Sequence, residues 1–131
     1  MGSQASILVI DDEISVLILL QAILEEEQYE LLQALNLTDA RKVWWENRHA
    51  IKLVIADFKL PDGTGVDLLS EVLEEAPEMR AIVITAFSLS TIQLPRTIAA
   101  RVVMIEKPFS PRDLRMRVKD SMPIVASSLT V

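Results

Sequence analysis

Cysteine is absent from the 131 residues, so no disulfide framework and no thiolate metal site are available, which is compatible with a reducing compartment. Histidine occurs once, at His49. With no second histidine beside it, it supports neither a zinc site nor a phosphohistidine, and a surface position is expected. Basic residues are outnumbered, leaving a net charge of −6. That balance argues against direct nucleic acid binding by this domain, because such footprints are basic. Long apolar runs are missing as well. The longest, from Ile14 to Leu24, contains Gln21 and falls far short of the roughly 20 residues that span a bilayer. The opening Met1-Gly2-Ser3-Gln4-Ala5-Ser6 has no basic segment, so no signal peptide is read, and Met1-Gly2-Ser3 is compatible with an expression scar. A cytoplasmic protein without a membrane partner is the expectation.

What is present suits one domain. Half of the chain is hydrophobic, enough for a sizeable core at this length. Short β-branched runs alternate with longer helical segments, which is the pattern of βαβ units around a parallel sheet. Strands are predicted near Ile7–Ile10, Tyr29–Ala34, Leu53–Ala56, Ala81–Thr85 and Val102–Ile105. Helices are predicted over Ile14–Glu27, Asp39–Asn47, Gly65–Glu75, part of Ser88–Ala100, and Arg112–Met122. Thr38 or Asp39 is the expected cap of the second helix, and Ser110-Pro111 opens the fifth. Pro95 either starts the fourth helix or breaks it. Residues 1–6 are expected to be a flexible terminus or an expression scar, 7–122 the domain, and 123–131 a tail or linker stub.

Chemistry gathers at the strand ends. Ile7-Leu8-Val9-Ile10 closes on Asp11-Asp12, Leu53-Val54-Ile55-Ala56 on Asp57, and later runs on Thr85 and Lys107-Pro108-Phe109. In a parallel sheet these ends share one edge, where open α/β folds place their sites. Nucleotide-binding folds put a glycine-rich turn where Asp11 and Asp12 stand, and bare carboxylates there repel phosphate. They become useful around a hard cation such as Mg²⁺, which takes a few carboxylate oxygens and keeps several waters. Asp12 and Asp57 can each offer an oxygen, with Asp11 holding a coordinated water. Asp57 is also a candidate nucleophile, since a carboxylate can form an acyl phosphate. Phosphorylation adds roughly 1.5–2 negative charges, which Lys107 and the metal would offset. Thr85 can donate its hydroxyl to a phosphoryl oxygen.

These residues together resemble the receiver domains of two-component response regulators, the family that includes the chemotaxis regulator. The matching elements are Asp11-Asp12, Asp57 within Asp57-Phe58-Lys59-Leu60-Pro61-Asp62-Gly63-Thr64-Gly65, Thr85-Ala86, and Lys107-Pro108-Phe109, over about Ile7 to Asp120. The resemblance implies a (βα)5 flavodoxin-like three-layer sandwich with strand order 2-1-3-4-5. It implies that Asp57 accepts a phosphoryl group from a histidine kinase or histidine phosphotransfer protein. It also implies that Asp12, Asp57 and the backbone carbonyl of Lys59 bind Mg²⁺. Thr85 and Lys107 would read the phosphorylated state and reposition the face built from the fourth helix, fifth strand and fifth helix. A homodimer through that face is compatible with the same likeness.

The match departs on the output side. Met104 stands where the family usually has an aromatic switch residue, three positions before the lysine, and gives a less discrete two-position switch. Ala99-Ala100-Arg101 replaces the usual Gly-Ala-Asp. Lys59 and Phe87, two positions after Asp57 and Thr85, are candidates for tuning phosphoryl lifetime. Trp44 and Trp45 lie about 100° apart on one helix, so one is expected buried and the other partly exposed. The first helix, apolar nearly all round, is expected to leave some apolar surface outside. Two competing functions stand beside the main reading. One is a receiver-shaped binding module that works without phosphorylation. The other is an aspartate-nucleophile phosphatase, disfavoured because Lys59 occupies the position of its second acid.

Overall fold

Strand residues alternate between two apolar faces, and that alternation dictates a three-layer arrangement. The computed structural model describes residues 5–123. Its sheet contains β1 (Ser6–Ile10), β2 (Glu30–Ala34), β3 (Ile51–Asp57), β4 (Arg80–Thr85) and β5 (Val102–Glu106). All neighbours pair in parallel, in the order β2-β1-β3-β4-β5. This is the flavodoxin-like architecture that the resemblance implied. The helices are α1 (Ile14–Leu24), α2 (Leu37–Asn47), α3 (Gly65–Glu75), α4 (Arg96–Ala99) and α5 (Pro111–Ser121).

Ile7 and Val9 of β1, Leu53 and Ile55 of β3, and Ile82 and Ile84 of β4 face Leu17, Leu20 and Leu24 of α1 and Leu114 and Val118 of α5. Leu8, Ile10, Val54, Ala56, Ala81 and Val83 point the other way, into a second core. That core is completed by Trp44 of α2, Leu68, Leu69 and Val72 of α3, and Ile98 of α4. Each fully buried Leu or Ile side chain contributes about 1.5–3 kcal/mol relative to exposure. The apolar excess of α1 divides as expected: Leu17, Leu20, Ile23 and Leu24 are buried, whereas Ile14, Ile18 and Leu19 face outward. Trp44 is buried with its indole N–H donating to Glu75 at 2.8 Å, and Trp45 is exposed under Arg48.

Several boundaries differ from expectation. Helix α2 begins at Leu37, not Asp39, and its cap is Asn36, whose side chain accepts from the Asp39 N–H at 2.8 Å. Asp62 reinforces that end from across the molecule, accepting from the Leu37 N–H at 2.8 Å and the Thr38 N–H at 3.0 Å. The α-helical part of the first helix stops at Leu24; a 3-10 turn covers Glu25–Glu27 and Gln28 takes a left-handed conformation, φ 65°. Pro95 precedes a fourth helix of only Arg96–Ala99, because its ring presets the first turn but cannot lie inside one. Arg101 compensates just before β5. Its guanidinium donates to the carbonyls of Leu73, Ala76, Pro77 and Met79, closing the C-terminal end of α3. Ser110 caps α5 with Pro111 in its first turn, as predicted. The expectations for residues 1–4 and for the tail after Pro123 lie outside the described residues. Among the described residues no helix is long and apolar enough to cross a membrane.

Candidate functional site

Strands β1, β3, β4 and β5 deliver their last side chains to the same edge. Ile10 pairs with Ala56, Asp57 with Ile84, and Thr85 with Glu106. Asp11 follows β1 and is held there by its own N–H, which donates to the Ala34 carbonyl at 3.1 Å. Asp57 ends β3. The Lys107 N–H donates to the Thr85 carbonyl at 2.7 Å, which ties the lysine to the same edge beyond β5. The peptide bond between Lys107 and Pro108 is cis.

Between β3 and α3 the chain makes a short hairpin, Lys59–Leu60 against Gly63–Thr64. Gly63 has φ 149°, a conformation that disfavours any side chain. Gly65 lies so close to the Asp57 carbonyl that an added Cβ would collide with it. The start of α3 is thereby pressed against the Asp57 backbone. Thr64 and Asp67 form a reciprocal capping box there.

One carboxylate oxygen from each of Asp11, Asp12 and Asp57 lies within 4.8 Å of the others. Asp11 and Asp57 are buried and Asp12 is exposed. The Lys107 ammonium sits against them, its Nζ 3.1 Å from Asp11 Oδ2, 3.1 Å from Asp57 Oδ2 and 3.1 Å from Glu13 Oε1. An ammonium has three donors, so all three are engaged. Burial works against the charged lysine, but hydrogen bonds to Glu13, Asp57 and Asp11 outweigh it and raise its pKa. Burial, with the neighbouring charge of Asp57, pushes the Asp11 carboxyl above its ordinary value of 3.8, against the Glu13 N–H and Lys107. The donors are hard oxygens in a tight group, which fits a divalent cation of the Mg²⁺ type and offers nothing to a thiophilic metal.

Thr85 is fully buried at the same edge, and its hydroxyl oxygen accepts from the Phe87 N–H at 2.9 Å. Phe87 is exposed and meets Phe58 edge to face at 5.9 Å. Lys59 is exposed, and its N–H approaches Asp57 Oδ1 at 3.4 Å. An open crevice of about 380 Å³ is lined by Asp12, Glu13, Asp57, Lys59, Phe87 and Lys107, among others. A larger surface depression between α2 and α3 contains none of the three clustered aspartates. Met104 pairs with Val83 within the sheet and is half-buried against the core beneath α2, α3 and α4. Glu13 is the site residue that sequence reasoning missed. Its position directly after Asp11-Asp12 was the available signal.

A sequence profile of the response regulator receiver domain matches residues 7–119. The alginate biosynthesis transcriptional regulatory protein AlgB of Pseudomonas aeruginosa is 29% identical over 121 residues, covering 92% of this chain and 26% of AlgB. The transcriptional regulatory protein SrrA of Staphylococcus aureus is 33% identical over 113 residues, 86% of this chain and 46% of SrrA. The chain thus spans about a quarter of one relative's length and under half of the other's. The solution structure of the beryllofluoride-activated NtrC4 receiver domain dimer superposes with a TM-score of 0.76 at 32% identity, covering 89% of this chain and 95% of that one.

Proposed function

This chain belongs to the response regulator receiver domain family of two-component signalling, and from that membership we propose that Asp57 is its phosphoryl acceptor. A carboxylate oxygen of Asp57 attacks the phosphorus of a phosphohistidine on a histidine kinase or histidine phosphotransfer protein. A P–O bond forms as the P–N bond breaks, and the imidazole nitrogen keeps the electron pair. The observation that carries this reading is the Lys107 Nζ at 3.1 Å from Asp57 Oδ2, with Asp11 and Asp12 clustered alongside. Among the described residues, no other group combines a nucleophile, an anion-compensating cation and a hard-cation cradle.

Asp12, Asp57 and the Lys59 carbonyl would hold Mg²⁺, with Asp11 holding one of its waters; when bound, the ion offsets phosphoryl charge. Lys107 donates to a phosphoryl oxygen. Thr85 keeps its hydroxyl hydrogen free for another, because its hydrogen bond from Phe87 uses an oxygen lone pair. The same cradle assists both phosphorylation and later hydrolysis, with Lys59 and Phe87 at the rim tuning the lifetime. The domain therefore signals and does not turn over a released substrate. Output passes through Thr85 and Met104 to the face of α4, β5 and α5. The dimeric state of the activated NtrC4 receiver supports a homodimer, for which the same face is the proposed interface.

Incubation with acetyl phosphate and Mg²⁺, followed by intact-mass measurement, is expected to give one phosphoryl adduct that disappears in Asp57→Asn. A parent protein without an adduct would favour the second reading, a binding module that works without phosphorylation. That reading draws on Met104 at the switch position and on a fourth helix of one turn.

A further inference from the structure

We propose that Glu13 is a positioning residue for phosphoryl transfer, competing with the incoming phosphoryl group for the Lys107 ammonium. The proposal rests on Asp57 being the acceptor. Three carboxylates occupy the three Lys107 donors, at 3.1 Å each. They are not equivalent. The Asp11 and Asp57 side chains are 3% and 11% exposed, whereas that of Glu13 is 60% exposed. Releasing a buried carboxylate leaves an unpaired charge in a poorly solvated place, while a released Glu13 is taken up by water. Glu13 is thus the partner that yields when Lys107 turns to a phosphoryl oxygen.

The Glu13 contact with Lys107 is not a by-product of helix capping. It occupies the N-cap of α1 without making a side-chain cap hydrogen bond. Its backbone N–H donates to Asp11 Oδ1 at 2.8 Å, an interaction that a side-chain substitution leaves in place. Glu13 therefore restrains Lys107 in the resting state and slows its engagement with phosphorus.

With acetyl phosphate, a carboxylate oxygen of Asp57 bonds to phosphorus and acetate departs with the electron pair of the broken P–O bond. No net proton moves. In Glu13→Gln, at saturating Mg²⁺, the maximal rate of adduct formation is expected to rise about two- to fivefold, the range corresponding to one exposed ion pair. The acetyl phosphate concentration for half-maximal rate should stay unchanged. In a Lys107→Met background the same substitution should have no effect. Glu106→Gln removes the exposed charge of the preceding residue, which is not one of the three Lys107 ion-pair partners, and should match the parent. An unchanged rate in Glu13→Gln, a gain that persists in Lys107→Met, or an equal gain in Glu106→Gln overturns the role of Glu13 alone. A parent that forms no adduct overturns the acceptor assignment, and this proposal with it.

Discussion

Replacing Lys107 with methionine tests how far the resting site depends on one ammonium. Methionine keeps most of the apolar stem and removes the charge. The contact with the exposed Glu13 is worth little, at most about 1 kcal/mol. Those with buried Asp11 and Asp57 are each worth about 1.5–3 kcal/mol as charge-assisted hydrogen bonds. Their loss is partly offset because the lysine no longer has to be desolvated. Breaking a buried ion pair by removing one partner typically costs about 3–5 kcal/mol, and relief at this partly open site argues for the lower end, about 3 kcal/mol. For a domain of this size that lowers the Tm by roughly 10 °C in EDTA at neutral pH.

The pH dependence has a definite sign. Lys107 has a raised folded-state pKa, so its contribution is complete below 10.5 and persists through the neutral range. Asp11 has a folded-state pKa raised above 3.8, so its contribution to stability is complete below 3.8 and is lost as pH rises through the higher folded value. The deficit of the variant should therefore shrink in acid, where a neutral Asp11 needs no counter-charge, and stay level towards alkaline pH. Saturating Mg²⁺ should recover the Tm more in the variant than in the parent, where Lys107 competes for the same oxygens. At 100 times the dissociation constant the gain is about 2.7 kcal/mol. Calorimetric melts of both proteins, with EDTA and with Mg²⁺, decide the matter. A deficit below about 1 kcal/mol in EDTA, or an equal Mg²⁺ gain in both proteins, would refute the reasoning.

Two further substitutions test the frame that holds the site. Arg101→Ala removes donors from four carbonyls at the end of α3 and should cost about 2–3 kcal/mol in urea unfolding. Arg101→Lys should recover only part of this, since a point donor cannot span the fork. Asp62→Asn weakens the reinforcement of the α2 N-terminus. The Leu37 N–H, followed by the N–H and hydroxyl of Thr38, holds the Asp62 carboxyl below 3.8, so its contribution is present above that value and lost as pH falls through the lower folded one. The variant should melt below the parent at pH 6 and converge with it in strong acid; parallel curves would contradict the assignment.

Much of the fold was legible because its signals are local. Apolar runs that end in Asp11, Asp57 and Thr85 can be read without knowing their neighbours, and so can Pro111 after Ser110. The misplaced start of α2 shows where this breaks down. Asn36 and Asp39 cap each other locally, but the firm stop also comes from Asp62, which is 25 residues from Leu37 in sequence. The brevity of α4 was left open by Pro95, and Arg101 binding the end of α3 had no local signal at all.

What the linear chain determined by itself was the class of architecture and the residues that meet at one edge, because side-chain periodicity follows from backbone geometry. Only the tertiary structure decided how those residues share charge. Lys107 contacts Asp11 across 96 positions and Glu13 across 94, and Thr85 turns its oxygen to the Phe87 amide. The reason is physical. An ammonium with three donors and several carboxylates within reach chooses partners by distance and burial, and both exist only once the strands lie side by side.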